Sequence, residues 1–194
     1  MSNGLISHPD CKHRCWWSST DPVYVAYHDT EWGVPEYDSR ALFEKLILDG
    51  FQAGLSWITI LRRRPAFREV FHGFDVDKVA AMTDEELEVL MSDTGIVRNR
   101  AKILATRRNA QAAVGLRDDA GLEAFIDAFR PERDPEPATS ADVPTTSPES
   151  VALSKALRKR GFGFVGPTTV HALMEATGLV DTHLVDCHRR GVAR

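Results

Sequence analysis

The chain has 194 residues, of which 43% are hydrophobic and 27% are charged, and its formal net charge is −4. This composition is typical of a soluble globular protein and excludes a wholly disordered or fibrous chain. The longest apolar runs are far shorter than the ~20 residues of a membrane-spanning helix, and the amino-terminal segment lacks the apolar core of a signal peptide.

The first strong helical signal begins near residue 38. Asp38 or Ser39 can cap a helix whose apolar residues recur at helical spacing, and Gly50 is expected to end it. A second helix is predicted over 53–64, because Pro65 lacks a backbone donor and interrupts the helical pattern. The segment after Pro65 is expected to continue as a short amphipathic helix.

Further helix signals flank a proline-rich segment. Thr83 followed by Glu86 is the capping-box pattern of a helix start, and residues 118–129 are also expected to be helical. Residues 131–149 contain five of the ten prolines among Ser, Thr and acidic residues. This composition predicts an extended surface loop between two helical lobes.

Two more helices are predicted after this loop. Ser147 as the cap and Pro148 at the first position predict one helix that ends before Gly161. Another helix is predicted between Pro167 and Gly178. No run of period-two alternation is long enough to indicate a half-buried strand. We therefore predict an all-α fold.

The segment 94–99 lies between two predicted helices, the second of which is basic. This order indicates a helix-hairpin-helix, in which Gly95 permits a tight turn at a helix end that can bind an anion. Arg98, Arg100 and Lys102 would then surround a DNA phosphate and give affinity without reading sequence. A simple hairpin between packed helices explains the segment equally well when it is considered alone.

The cysteines and histidines of the chain offer metal ligands. Three cysteines are an odd and sparse set that suits a reducing compartment, so we expect a cytoplasmic protein. His183 and Cys187 are four residues apart, on one face of a predicted helical turn, and Cys15 with His28 could complete a tetrahedral Cys2His2 site. Competing ligands leave this set open, namely His8, Cys11, His13 and His188.

The tryptophans and tyrosines are concentrated in one part of the sequence. All four tryptophans and all three tyrosines lie between residues 16 and 57. Their flat faces suit a stacked ligand, although a structural aromatic core would also explain the cluster. Asp49 lies at the end of its predicted helix, where the helix dipole disfavours an anion, so local propensity does not explain it. It is either a surface acid or a carboxyl group facing the aromatic cluster that includes Trp57.

Seven segments form a specific combination that covers residues 14–187, nearly the whole chain. They are RCWW at 14–17, DP at 21–22, YHD at 27–29, EWGVP at 31–35, QAGLSWIT at 52–59, SKAL at 154–157 and RGFGFVG at 160–166. In this combination the chain resembles the 3-methyladenine DNA glycosylase I family. Cys11 and the first dozen residues have no counterpart in that family pattern.

The resemblance implies a helix-hairpin-helix glycosylase fold, with one structural zinc ion that joins the amino- and carboxy-terminal segments. The implied zinc ligands are Cys15, His28, His183 and Cys187. It further implies an amino-terminal extension at 1–13 and a single glycosylase domain at 14–194, with the hairpin at about 84–113.

The resemblance also implies a pocket that binds the damaged base. Its implied residues are Trp17, Tyr24, Tyr27, Trp32, Asp49 and Trp57. Gly54 and Leu55 would form the wedge that fills the gap left by the flipped nucleotide. The family's pocket acid is commonly Glu, so Asp49 is one methylene shorter than that pattern.

The activity implied by the resemblance is hydrolytic excision of 3-methyladenine from double-stranded alkylated DNA by a monomeric enzyme. The lesion nucleotide must first be flipped out of the duplex. Methylation at N3 makes the base cationic and activates its glycosidic bond, so Asp49 is expected to serve recognition and electrostatics. Two other interpretations are a non-catalytic zinc-stabilised DNA-binding module of the same fold and a glycosylase for a different damaged base.

Overall fold

The computed structural model describes residues 4–192, and most of that range is helical. Nine α-helices are present within it, labelled here in chain order. They are α1 (Pro22–Thr30), α2 (Ser39–Gln52), α3 (Trp57–Val70), α4 (Val76–Ala81), α5 (Asp84–Val89), α6 (Arg100–Gly115), α7 (Gly121–Asp127), α8 (Pro148–Lys159) and α9 (Pro167–Ala176). The predicted helical class is therefore confirmed.

A small antiparallel sheet precedes the helices, and the sequence analysis did not predict it. Strand β1 (Leu5–Ser7) pairs with strand β2 (His13–Cys15), and Leu5 lies opposite Cys15. Strands of three residues are too short to show a period-two pattern. The pairing brings residues 5–7 of the predicted amino-terminal extension against the segment that contains Cys15, which is fully buried.

Helix α2 begins where predicted but does not end at Gly50. The Asp38 carboxylate accepts a hydrogen bond of 2.8 Å from the amide of Ala41 and caps the helix. The helix then continues to Gln52, so the prediction that Gly50 terminates it is wrong. A Cβ atom at Gly50 would lie 3.4 Å from the Cβ atom of Phe164. The absence of a side chain at Gly50 therefore allows α2 and the loop before α9 to approach each other closely.

Helix α3 runs through Pro65, contrary to the predicted interruption. A proline inside a helix removes one backbone hydrogen bond and crowds the preceding turn. Both sides of Pro65 nevertheless belong to one buried face, on which Ile60, Leu61 and Phe67 pack into the core. Apolar burial on either side of the proline therefore outweighs the local helix-breaking tendency.

The other capping signals behave as the sequence indicates. Thr83 and Glu86 form the reciprocal capping box at the start of α5, and Ser147 caps α8 with Pro148 in its first turn. Helix α7 lies within the predicted segment 118–129. Between α7 and α8, the proline-rich segment contains no regular helix before Pro148, as expected for an extended loop.

Helix α2 lies at the centre of the fold. Ten of its fourteen residues are buried, and it packs against α3, α6, α7 and α9. Three of the buried residues carry ionisable side chains, namely Glu44, Lys45 and Asp49. Within the described part of the chain, no helix combines the length and apolar character needed to span a bilayer.

Candidate functional site

The six residues assigned to the base pocket from the sequence line one cavity of about 300 Å³. They come from the short 3-10 turn after β2, from α1 and the turn that follows it, from α2 and from the start of α3. These residues are Trp17, Tyr24, Tyr27, Trp32, Asp49 and Trp57. The tertiary structure thus gathers side chains that are up to forty residues apart in sequence into one concave site.

The aromatic walls of the cavity pack on one another. Trp17 lies edge-on to Trp32, with ring centroids 4.8 Å apart, and edge-on to Tyr24 at 5.7 Å. Tyr27 lies 5.5 Å from Trp57 in a tilted arrangement. Aromatic pairs in such geometries contribute ~0.5 to 1.5 kcal/mol each beyond their buried area. The walls are therefore held in position before any ligand enters.

Tyr24 also fixes the start of the helix that carries Trp57. The backbone amide of Ile58 donates a hydrogen bond of 3.0 Å to the hydroxyl oxygen of Tyr24. Ser56 is the residue before α3, but its hydroxyl interacts with Thr59 at 2.8 Å and does not cap the helix. Tyr24 therefore supplies the missing cap and joins α1 to the start of α3.

Asp49 lies in an environment that strongly disfavours its charged form. Its side chain is buried, and its Oδ2 atom has no hydrogen-bond partner among the described residues. Burial raises the pKa of this carboxyl group well above its usual range, and the negative charge of Glu175 adds to that effect. The positive charge of Lys45, one helical turn earlier, offsets only part of it.

The other two buried ionisable residues of α2 are satisfied, in contrast to Asp49. Glu44 forms ion pairs with Arg64 and with Arg68, the latter at 2.9 Å. The Lys45 ammonium group donates a hydrogen bond of 2.9 Å to the carbonyl oxygen of Ala176.

Trp57, which also lines the cavity, has a buried indole Nε1 without a hydrogen-bond partner among the described residues. Buried polar atoms are rarely left unpaired, so this cavity is built for a polar ligand.

Five further residues line the cavity, and the sequence analysis did not identify them. They are Gln52, Ser56, Ala172, Glu175 and Ala176. The last three occupy one face of α9, where they recur at helical spacing. The one available signal was Glu175, the single acidic residue of α9. Nothing in the local sequence indicates that α9 packs beside α2.

The wedge residues lie in the tight turn between α2 and α3. Gly54 has a backbone φ of +87°, a conformation that side chains other than glycine rarely adopt. The Leu55 side chain is 43% exposed, and its amide donates a hydrogen bond of 2.6 Å to the carbonyl oxygen of Gln52. Because Gln52 and Ser56 line the cavity, this turn presents an exposed leucine at its rim.

The segment 94–99, which was predicted to form a hairpin, lies between α5 and α6, but the backbone amide of Gly95 already has a hydrogen-bond partner. The amide of Gly95 donates a hydrogen bond of 2.7 Å to the Asp93 carboxylate, so this N–H group is not free for a phosphate. A Cβ atom at Gly95 would lie 3.0 Å from the Cβ atom of Ala66. The glycine therefore allows the hairpin to approach α3 closely.

The three basic residues of the hairpin region differ in exposure. Arg98 and Arg100 are exposed, and the Arg100 guanidinium lies 3.3 Å from Glu88 in a surface ion pair. Lys102 is only 8% exposed, and its ammonium group donates hydrogen bonds to the carbonyl oxygens of Phe51 and Ala53. We therefore assign Lys102 to the core of the protein. The prediction that it contacts a DNA phosphate is wrong.

Three of the four predicted metal ligands come together at one place, and the fourth, His183, lies beside them. The ligand atoms of Cys15, His28 and Cys187 all lie within 4.8 Å of one another, and the Cys187 sulfur is 3.4 Å from Nε2 of His28. The ring of His183 lies 5.3 Å from that of His28. His183 and Cys187 lie in a segment of turns and extended chain, so the predicted helical turn between them is absent.

Both histidines are oriented by a carboxylate. Nδ1 of His183 lies 2.8 Å from Asp181, and Nδ1 of His28 lies 2.9 Å from Asp29. These hydrogen bonds leave Nε2 of His28 directed at the Cys187 sulfur, and Nε2 of His183 is buried without a hydrogen-bond partner in the described part of the chain. Carboxylates commonly orient zinc-binding histidines in this way. Two thiols and two imidazoles also match the donors that zinc prefers, so these residues fit a zinc ion.

A second group of possible ligands is better explained as a hydrogen-bonded network. His188 approaches Asp29 through Nε2 at 2.9 Å, and these residues cluster with His28. The Asp29 carboxylate, however, also pairs with the Arg14 guanidinium at 2.6 Å. An ion-paired carboxylate is a poor candidate for a metal ligand. Cys11, another competing ligand, is exposed and lies outside both groups.

Comparison with known proteins identifies relatives over most of the chain. Residues 16–190 match the model of the methyladenine glycosylase family. The chain is 49% identical over 179 residues to DNA-3-methyladenine glycosylase 1 of Escherichia coli (strain K12), covering 90% of this chain and 95% of that protein. It is 47% identical over 178 residues to DNA-3-methyladenine glycosylase of Haemophilus influenzae, covering 90% and 96% respectively.

Solved structures agree with this relationship. The fold matches a crystal structure of 3-methyladenine DNA glycosylase I with a TM-score of 0.88 and 47% identity, over 91% of this chain and 98% of that chain. It also matches the Staphylococcus aureus enzyme, solved to study 3-methyladenine recognition, with a TM-score of 0.84 and 39% identity, over 88% and 92% of the two chains. The resemblance seen in the sequence is thereby confirmed, and the chain belongs to the methyladenine glycosylase family.

Proposed function

We propose that the protein is a monofunctional DNA glycosylase that excises 3-methyladenine from alkylated DNA and leaves an abasic site. The observation that carries this proposal is an aromatic cavity in which the Oδ2 atom of Asp49 has no hydrogen-bond partner among the described residues, in a chain 49% identical to a DNA-3-methyladenine glycosylase. A volume of about 300 Å³ is at the small end of the range for ligand pockets, which suits a single nucleobase.

The base must leave the duplex before it can reach this cavity. Extrusion costs a few kcal/mol of stacking and pairing energy, and a damaged base that pairs poorly costs least. Leu55 is an exposed apolar side chain on a rigid turn at the cavity rim, which suits insertion into the space that the nucleotide vacates. We infer that Gly54 and Leu55 form this wedge.

The chemistry of the lesion limits what the protein must supply. Methylation at N3 places a positive charge on the base, so the glycosidic bond is already weakened. A water molecule attacks the anomeric carbon, the carbon–nitrogen bond breaks, and its electron pair neutralises the departing base. The tryptophan and tyrosine faces would stabilise the cationic base by ~0.5 to 2 kcal/mol per contact. Asp49 would bind its edge and supply a negative charge.

We infer that the protein carries one structural zinc ion and adopts the helix-hairpin-helix glycosylase fold. The proposed zinc ligands are Cys15, His28, His183 and Cys187. Four protein ligands leave no coordination position for water, so the ion would join the two ends of the chain without activating a nucleophile. The capped helices α5 and α6 on either side of 90–99 support the hairpin.

The proposed partner is double-stranded DNA, held through its phosphates by Arg98 and Arg100. Phosphate contacts give affinity and position without reading sequence, as a repair enzyme that searches for damage requires. We further propose that residues 14–194 act as one domain, that the protein is a monomer and that it works in the cytoplasm. The free, sparse cysteines support a reducing compartment.

Release of bases from methylated DNA tests the proposed activity. The purified protein is incubated with DNA treated with a methylating agent, and the liberated bases are identified by chromatography, with unmethylated DNA as the control. We expect free 3-methyladenine as the main product. Release of another base would indicate a different glycosylase, and DNA binding without any released base would indicate a non-catalytic module.

A further inference from the structure

The cavity is lined by two carboxyl groups, and the proposed function uses only one of them. Glu175 lies in the last turn of α9, and its side chain is 16% exposed. Its Oε1 atom accepts a hydrogen bond of 2.5 Å from the hydroxyl group of Thr182. Asp49 faces the same cavity from α2 and has no such donor at Oδ2. The two acids thus share one ligand site but differ in their hydrogen bonding.

The surroundings do not neutralise either acid. Lys45 is the nearest cation on α2, but its ammonium group bonds to the Ala176 carbonyl and faces Glu31 at 3.6 Å. The remaining titratable and charged groups around the pair are Tyr27 on α1, with the Glu31–Arg64 ion pair beyond it, and His171 on α9. Nε2 of His171 lies 4.0 Å from Oε1 of Glu175, and burial lowers the pKa of this histidine and favours its neutral form.

The proximity of the two acids opposes their simultaneous ionisation. Burial raises the pKa of Glu175 to about 7, and the pKa of Asp49 is raised further from its usual range by burial together with the charge of Glu175. Two interacting carboxyl groups lose their protons as a pair and not as independent sites. Burial and mutual repulsion therefore favour a protonated form of this pair in the free pocket.

We propose that Glu175 is a specificity-determining residue of the base pocket, which shares with Asp49 the negative charge that a cationic purine meets. This inference rests on the proposed function. A cationic base displaces a proton from this pair to solvent and gains an ion pair in a desolvated site. A neutral base gains no such interaction, so the pair selects for the charge that N3-methylation creates.

The test uses a base that is always cationic. Adenine methylated at both N3 and N9 carries a permanent charge and has no sugar to lose, and 9-methyladenine is its neutral counterpart. Binding is followed by quenching of tryptophan fluorescence at about pH 6 and about pH 8, on either side of the pKa of Glu175. For the parent protein we expect affinity for the cation to rise with pH, and affinity for the neutral base to stay constant.

Substitution of Glu175 separates a charge effect from a structural one. Glu175→Gln keeps the side-chain shape and should weaken cation binding at about pH 8 by about ten-fold, the effect of losing one charge-assisted interaction. It should also reduce the pH dependence, whereas Glu175→Asp, which retains an acid, should preserve that dependence. Glu85→Gln removes an exposed acid on α5 and should change neither quantity.

Two results would overturn the inference. One is a Glu175→Gln variant whose cation affinity and pH profile match the parent. The other is an equal loss of affinity for the cation and the neutral base, which indicates a structural role. Excision from methylated DNA is measured in parallel with the parent protein. If the parent releases 3-methyladenine while Glu175→Gln binds the cation normally, the inference fails and the proposed function stands; if the parent releases none, the function itself fails.

Discussion

The ammonium group of Lys102 lies 2.9 Å from the carbonyl oxygen of Phe51 and 2.8 Å from that of Ala53, at the end of the helix that carries Asp49. The last carbonyl groups of a helix lack partners within the helix and attract a cation. Lys102 therefore joins the basic helix α6 to α2. The connection holds the proposed DNA-contacting hairpin and the cavity in one fixed relationship.

Replacement of Lys102 should destabilise the fold. Lys102→Met keeps the apolar stem but removes the donor to the buried carbonyl group of Phe51 and to that of Ala53, so the free energy of unfolding should fall by about 1 to 3 kcal/mol. Urea unfolding followed by circular dichroism measures this change, with the exposed Arg100→Ala as a control expected to shift it by less than about 0.5 kcal/mol. Equal stability of Lys102→Met and the parent would show that these hydrogen bonds are dispensable.

Replacement of the exposed arginines should weaken DNA binding in general. Arg98→Ala or Arg100→Ala removes one phosphate contact, so affinity for damaged and undamaged duplexes should fall by similar factors. The slope of log affinity against log salt concentration should shrink by about one unit for each lost contact. Fluorescence anisotropy at several salt concentrations provides the measurement. An unchanged slope combined with an altered base preference would contradict the phosphate assignment.

The proposed zinc site predicts about one metal equivalent per chain in the purified protein. His183→Ala should lower metal content and should reduce the free energy of unfolding by about 2 kcal/mol or more, because metal binding stabilises only the folded chain. Elemental analysis and thermal unfolding report the two effects. Cys11→Ser alters an exposed thiol and should change neither. Zinc loss in Cys11→Ser, or full zinc retention in His183→Ala, would assign the ligands elsewhere.

Asp49 should be required for base recognition. Asp49→Asn removes a charge-assisted interaction worth about 1.5 to 3 kcal/mol, so affinity for 3-methyladenine should fall by about 10- to 150-fold while the fold and zinc content persist. Quenching of Trp57 fluorescence is the expected reporter. Asp49→Glu restores the side chain common in the family and should keep or improve excision. Parent-like binding and excision by Asp49→Asn would remove Asp49 from the pocket chemistry.

Burial of Glu175 should make stability depend on pH. Its pKa is raised from 4.5 to about 7 in the folded protein, so folding favours the neutral acid. Its contribution to stability is therefore complete below about pH 4.5 and is lost as the pH rises through about 7. Glu175→Gln cannot ionise, so its free energy of unfolding at about pH 8 should exceed that of the parent by about 2 kcal/mol.

Urea unfolding at about pH 5 and about pH 8 checks the sign of this effect, because the variant and the parent should differ little at the lower pH. A Glu175→Gln variant that is less stable than the parent at about pH 8 would show that the carboxylate stabilises the fold.

The sequence by itself determined the features that depend on local chemistry. Asp38, Thr83 and Ser147 cap their helices as predicted, because a side chain that bonds an amide two or three residues away needs no distant partner. The combination of seven sequence segments between residues 14 and 166 also identified the family by resemblance. Composition and helical periodicity were sufficient for the helical class.

Only the tertiary structure decided what depends on burial against distant segments. Gly50 lies inside α2, where a small residue allows the close approach of Phe164, and α3 passes through Pro65 because both sides of the proline pack into the core. Lys102 is a basic residue beside the predicted hairpin, as a phosphate contact would be, but its side chain is buried against α2. Glu175 enters the cavity because α9 packs beside α2. The environment of a charged side chain is set by residues far away in the sequence, and local patterns do not encode it.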